Sequence, residues 1–238
     1  QIKLKNIKEI KKQKIFYAFS FSVSDKCFFH DFFLAKCLEL KHSEIIPITL
    51  GKKLEINHNK IFKKYISHPH EFAKHFHFYN EKFLWNFLCG YKDISLDKFL
   101  SDKDFETYQN IADEVNLNEI DNFCFEGFTL GKYTRLRFIN DNGVSDFKLV
   151  KDYKKKLHIY LLHIILVYIS IKNLLKKNRP DVIVMSDSFY YPGVIIEELC
   201  KKMNIPTYNY FWGIKNNSFF YSKDKSCQWR DISNILFL

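Results

Sequence analysis

The sequence predicts an α/β fold, a Rossmann-like doubly wound parallel sheet with a helical insertion, formed by residues 1–238 as a single domain. Two stretches carry most of that prediction. KIFYAFSFSVS (14–24), DKCFFHDFFLAKCLEL (25–40) and EIIPITL (44–50) read in succession as strand, helix and strand. DVIVMS (181–186), GVIIEELCKKMN (193–204) and IPTYNYFWG (205–213) repeat the order near the other end. Strand–helix–strand units of this length require parallel pairing through a right-handed crossover. The third observation is composition. Hydrophobic residues make up 47% of the chain, which excludes wholesale disorder, while 7 Gly and 5 Pro exclude collagen-like and low-complexity architectures.

The opening QIKLKNIKEIKKQK is a basic leader. The strand after it is rich in β-forming residues and ends in a Ser/Asp cluster. The helix over 25–40 has Asp25 placed as N-cap and an apolar stripe of Phe28, Phe32, Ala35 and Leu38. The second strand closes at Gly51. Residues 52–150 are expected to form a largely helical insertion covering the sheet edge: His/Lys-rich helical fragments over 58–88, an acidic helix over 101–115, an exposed loop over 123–138 and a turn at Asp141-Asn142-Gly143. A long helix is expected over 152–178. Its apolar run Ile159–Ile171 includes His163 and falls short of the roughly 20 residues a membrane span needs, so it is expected in the core. DVIVMS is continuously apolar, as a strand covered on both faces should be. The helix over 193–204 sets Val194, Ile195, Leu199 and Met203 apart from Glu197, Lys201 and Lys202.

The net charge is +10 and the pI about 9.1, which favours acidic partners. Lysines are scattered, and Arg, which reads bases and phosphates bidentately, forms no cluster, so nucleic acid is not the expected partner. The richness in Lys, Asn, Ile and Phe is also what an AT-rich genome produces. Cys27, Cys37, Cys89, Cys124, Cys200 and Cys227 show no CxxC pair and read as reduced cytosolic thiols, with Cys37 and Cys200 in the core. The chain begins at Gln1, as expected of a trimmed sequence.

No GxSxG, GxGxxG or GxxxxGK[ST] pattern is present, which argues against a serine hydrolase of that type, a dinucleotide fold and a P-loop enzyme. His68, His70, His75 and His77 lie within ten residues, yet His75 and His77 would point about 160–200° apart on a helix and no carboxylate or Cys stands at ligand spacing. No metal is expected. What remains is the rim at the strand carboxyl ends, where open parallel sheets bind ligands. Ser20–Asp25, Ser186–Tyr191 and Asn209–Gly213 end three strands with polar and aromatic groups. Ser and Asp at any one strand end also serve as turn formers and caps. Three ends sharing one rim would say more.

LAKCLELKHSEIIPITLG (34–51), FCFEGFTLGKYTRLRF (123–138) and RPDVIVMSDSFYYPGVIIEELCKKMNIPTYNYFWG (179–213), in that order, resemble the N-terminal half of GT-B-type glycosyltransferases of bacterial capsule and surface-polysaccharide synthesis. The likeness touches about two-thirds of the chain. It departs at Trp212-Gly213, where relatives carry His-Gly or Arg-Gly. The resemblance implies one half of a GT-B architecture, an acceptor-side domain of an enzyme that moves a sugar from a nucleotide-sugar donor to a growing glycan. It implies no metal and no cofactor, with the donor as co-substrate bound mainly by a C-terminal domain beyond Leu238, so that this chain is incomplete and inactive alone. The partners implied are a saccharide or lipid-linked glycan acceptor and, for so basic a chain, peripheral contact with an anionic membrane at its cytoplasmic face.

A transferred hydroxyl needs a base. Asp187 is the first candidate, then Asp25 and His30 at the first strand–helix junction, then Glu126. Ser22, Ser24, Ser186, Ser188, Tyr190, Tyr191, Asn209, Trp212 and Gly213 are candidates for substrate binding, the aromatics as faces for sugar rings. The competing expectation is a non-catalytic Rossmann-like module for anionic lipid or nucleic acid.

Overall fold

The computed structural model describes residues 12–18, 25–51, 53–54, 85–86, 90–186, 192–212 and 219–224, with the backbone alone for 25–30, 186, 211–212 and 219–220. In chain order the elements are β1 (Lys14–Ala18), α1 (Asp25–Leu40), β2 (Glu44–Thr49), β3 (Ile94–Ser95), α2 (Asp102–Asp113), α3 (Leu130–Asn142), α4 (Tyr153–Lys177), β4 (Val182–Ser186), α5 (Gly193–Met203), β5 (Thr207–Trp212) and β6 (Phe219–Lys223). They build one sheet in the order β3-β2-β1-β4-β5-β6. Pairing is parallel from β3 through β5 and antiparallel between β5 and β6. The fold is α/β, with the strand order of the Rossmann class.

Both faces of the central strands are covered, and alternation sorts their side chains. Phe16, Ala18, Ile183 and Met185 face one core with the apolar length of α4 and with Ile195 and Leu199 of α5. Ile15, Tyr17, Val182 and Val184 face the other with Ala35 of α1, Trp85 and Tyr91. Each fully buried large side chain contributes about 1.5–3 kcal/mol by leaving water. The middle of α4 is buried on nearly all sides because it lies between the sheet and the helices α2 and α3. It is long and apolar enough to cross a membrane, but 78% of its most apolar window is buried in the protein. His163 on this helix is buried, and burial first, then the Arg137 charge, pushes its pKa down to about 3, so it is neutral.

Within the stretch expected to be a largely helical insertion covering the sheet edge, the described residues include β3, α2 and α3. β3 extends the sheet by pairing Ile94 and Ser95 with Ile48 and Thr49, which leaves Pro47, with no N–H to give, outside that ladder. α2 begins with a capping box: Asp104 N–H donates to Ser101 Oγ at 3.2 Å and Ser101 N–H to Asp104 Oδ2 at 2.6 Å. Such a cap contributes about 1 kcal/mol.

The expected loop over 123–138 is a tight turn, with Phe125 and Phe128 exchanging backbone hydrogen bonds, followed by α3. Gly131 permits that helix: a Cβ there would stand 1.6 Å from the Ile120 carbonyl oxygen. Gly143, at φ 63°, ends α3 in the left-handed conformation. Two further expectations are corrected. Cys37 is exposed, because it lies on the outer side of α1, while Cys200 is buried as expected. A sixth strand, β6, pairs antiparallel with β5 where no strand was expected. The helical fragments over 58–88, apart from 85–86, and the His68/His70/His75/His77 group lie outside the described residues.

Candidate functional site

β1, β4 and β5 lie side by side and point the same way. Ala18, Met185 and Asn209 form one row across them, and Ser186 pairs with Tyr210 in the next. The carboxyl ends of three strands thus share one rim. Chain connections from β1 lead to β2 on one side, whereas β4 and β5 lie on the other, so the strand order reverses between β1 and β4. In an open parallel sheet that reversal opens a crevice for ligands above the strand ends.

Ser186 is the last residue of β4 and sits on this crevice through its backbone. Asp25 and His30 are in the first two turns of α1, with side chains outside the described residues. Trp212 ends β5, also with its side chain outside them. Ser22, Ser24, Asp187, Ser188, Tyr190, Tyr191 and Gly213 lie wholly outside the described residues. Asn209 is 0% exposed. Its pairing with Met185 places it on the α4–α5 face, packed beneath the rim instead of open on it.

Glu126 stands elsewhere. It accepts hydrogen bonds from Tyr168 Oη at 2.9 Å and Lys172 Nζ at 2.5 Å, and its carbonyl accepts one from Lys202 Nζ at 3.1 Å. Lys172 and Lys202 lie in the last turns of α4 and α5, the helices that return the chain to the amino ends of β4 and β5. Glu126 is therefore at the opposite end of the sheet from the crevice. Partial burial pushes its pKa up, but the hydrogen bonds from Lys172 and Tyr168 and the Lys172 charge outweigh this and hold the carboxyl below its ordinary value. The arrangement ties the turn at Gly127 to two helices, and it brings Glu126 to none of the other candidates.

One carboxylate beside the rim was not among the sequence candidates. Asp31, 1% exposed, projects from the inner side of α1, and Tyr210 Oη donates a hydrogen bond to its Oδ1. Tyr210 is level with Ser186, so this pair lies just under the crevice on the α1 face. Around it are Tyr17, whose ring is 5.8 Å from that of Trp85, and Tyr221, 6.0 Å from Tyr210. Burial raises the Tyr17 phenol pKa far above its ordinary value, and the negative charge of Asp31 raises it further; Tyr221 is raised by the same two causes.

The Tyr17 hydroxyl is buried with no hydrogen-bond partner among the described residues. Farther down α1, Tyr91 Oη donates to Glu39 Oε2 at 2.8 Å and Lys36 Nζ donates to the same oxygen at 2.9 Å. Burial, then the bond to Glu39, pushes Tyr91 up to about 12. Asp31 had a sequence signal: it precedes Ala35 by four residues and Leu38 by seven, on the stripe that a helix turns inward.

Among the described residues no group of three or more His, Cys, Asp or Glu is arranged to hold a metal ion. The rim can thus offer backbone groups at a topological switch point and a buried carboxylate–phenol pair beneath them. Compared with models of known protein families and with curated protein sequences, the chain matches none.

Proposed function

We propose that the domain binds the acceptor of a glycosyltransferase of GT-B type that builds a bacterial surface polysaccharide. The observation that supports it most is the shared rim: the ends of β1, β4 and β5 adjoin at the sheet's switch point, and each leads into the polar and aromatic residues that would hold a sugar. In this proposal the acceptor hydroxyl lies over the β1–β4 crevice. Its oxygen attacks the anomeric carbon of the donor while its proton passes to the Asp187 carboxylate, and the nucleoside diphosphate departs with the electrons of the broken glycosyl bond. The donor is held mainly by a second Rossmann-like domain. Tyr190, Tyr191 and Trp212 supply faces for sugar rings, and Asp25 and His30, from the first turns of α1, are the further candidates for the base.

A transfer assay on the complete enzyme, with labelled acceptor and a panel of nucleotide sugars, tests this. Asp187→Ala should lower kcat about 10²–10⁴-fold with unchanged thermal unfolding. Glu126→Gln, at the far end of the sheet, should leave transfer intact and destabilise the fold by less than about 1 kcal/mol. Full activity in Asp187→Ala would remove Asp187 from the role of base. Absence of transfer or saccharide binding across the panel would overturn the proposal.

A further inference from the structure

The chain from Asp146 into α4 carries five lysines, Lys148, Lys151, Lys154, Lys155 and Lys156, against two acids, Asp146 and Asp152. Asp146 is turned onto its own backbone, where Oδ1 accepts the Lys148 N–H at 2.9 Å. Lys148, Lys151, Lys154 and Lys155 are exposed. Among them stands Leu149, 70% exposed, in a short turn whose other apolar residue, Phe147, is buried. Leu149 is thus an exposed apolar side chain within a lysine-rich run of the chain. The first turn of α4 contains no acid, so its three lysines also oppose the helix dipole.

The location adds to this. α4 ends where the chain meets the amino ends of β1 and β4, with Asp181 N–H donating to the Lys14 carbonyl at 2.8 Å. It has 25 residues, about 37 Å, while β4 has 5, about 17 Å. The first turns of α4 therefore project past the carboxyl ends of the strands, and the lysine surface stands at the same end of the molecule as the crevice.

We propose that Lys148–Lys156 with Leu149 is a docking surface for an anionic lipid bilayer: the lysines lie against lipid phosphates and Leu149 enters the headgroup layer. Charge complementarity names the bilayer, and the leucine favours it over a nucleic acid, whose phosphates would leave Leu149 in water. The surface is independent of whether the domain serves a sugar transfer.

Co-sedimentation of the full chain with vesicles tests it, using phosphatidylcholine alone and phosphatidylcholine with an equal part of phosphatidylglycerol. Binding is expected to the anionic vesicles only, weakening as salt rises. Replacing Lys148, Lys151 and Lys154 by Gln should weaken it about 100-fold, a factor of about five for each lysine. The same change at the exposed Lys41, Lys92 and Lys103, which removes equal charge elsewhere, should alter it less than about threefold. Leu149→Ser should weaken binding several-fold and hold its effect at high salt. Equal losses in the two lysine triples would show net charge acting instead of a surface, and would overturn the proposal. So would equal binding to neutral vesicles, no vesicle binding, or binding of an oligonucleotide in place of anionic vesicles.

Discussion

Under α4 and α5 the central strands present Phe16, Ala18, Ile183 and Met185 to a core of hydrocarbon, interrupted at β5 by Thr207 and Asn209. Under α1 the same strands present Tyr17, Val184 and Tyr210, and the helix sets a buried carboxylate, Asp31, against them. The first face contributes stability by removing apolar surface from water. The second buries a hydrogen-bonded polar pair where two apolar side chains of the same shape would often be about as stable. The polar face is also the one whose pair, Asp31 and Tyr210, sits level with the rim. Stability and candidate chemistry are thus divided between the two sides of one sheet.

The comparison can be broken most forcefully at Phe16. Phe16→Ala should lower the unfolding free energy by about 3–5 kcal/mol in a urea titration, as expected for an aromatic removed from a packed core. A smaller loss than that from any single change under α1 would reverse the assignment of stability to the α4 face. Next in size, Tyr210→Phe deprives the buried Asp31 carboxylate of a donor and should destabilise by about 1.5–3 kcal/mol. Asp31→Asn, which keeps an acceptor for the phenol, should lose less.

The α4 face also holds His163, and its effect appears with pH. Its folded pKa is below the unfolded value of 6.5, so the unfolded chain takes up the proton first. The stability associated with its neutral form is complete above 6.5 and is lost progressively as pH falls toward about 3. At pH 5 the loss relative to pH 8 should be about 2 kcal/mol. His163→Leu should flatten that part of the stability–pH curve; an unchanged curve would show that another group titrates. The smallest effect is expected at Tyr17. Its hydroxyl is buried without a partner among the described residues, so Tyr17→Phe should leave stability unchanged or raise it slightly. A loss above about 1 kcal/mol would show that the hydroxyl is bonded.

Much of this architecture was legible in the chain. The helix over 25–40 was read with its bounds because an apolar stripe runs through it. The two strand–helix–strand units required parallel pairing, and the pairing is parallel. What escaped notice lacked a local signal. α3 is built from a stretch with glycine in its first turn and no clear apolar stripe, and it forms because Gly131 lets it pack against the Ile120 carbonyl. β3, two residues long, exists only through its pairing with β2. Glu126 looked like a site residue since a carboxylate between phenylalanines and a glycine is conspicuous, and only the approach of α4 and α5 shows it bonded to Lys172 and Lys202. Asp31 was hidden for the opposite reason: it stands on a stripe otherwise read as apolar.

The sequence by itself determined the α/β class, the parallel units and the polar character of three strand ends, because hydrophobic periodicity and turn chemistry are local properties. Only the tertiary structure decided that those three ends adjoin, that Asp31 lies buried beneath them against Tyr210, and that Glu126 belongs to the far end. Strand order and the meeting of side chains depend on which surfaces bury one another, and a residue's neighbours along the chain do not specify its partners across the sheet.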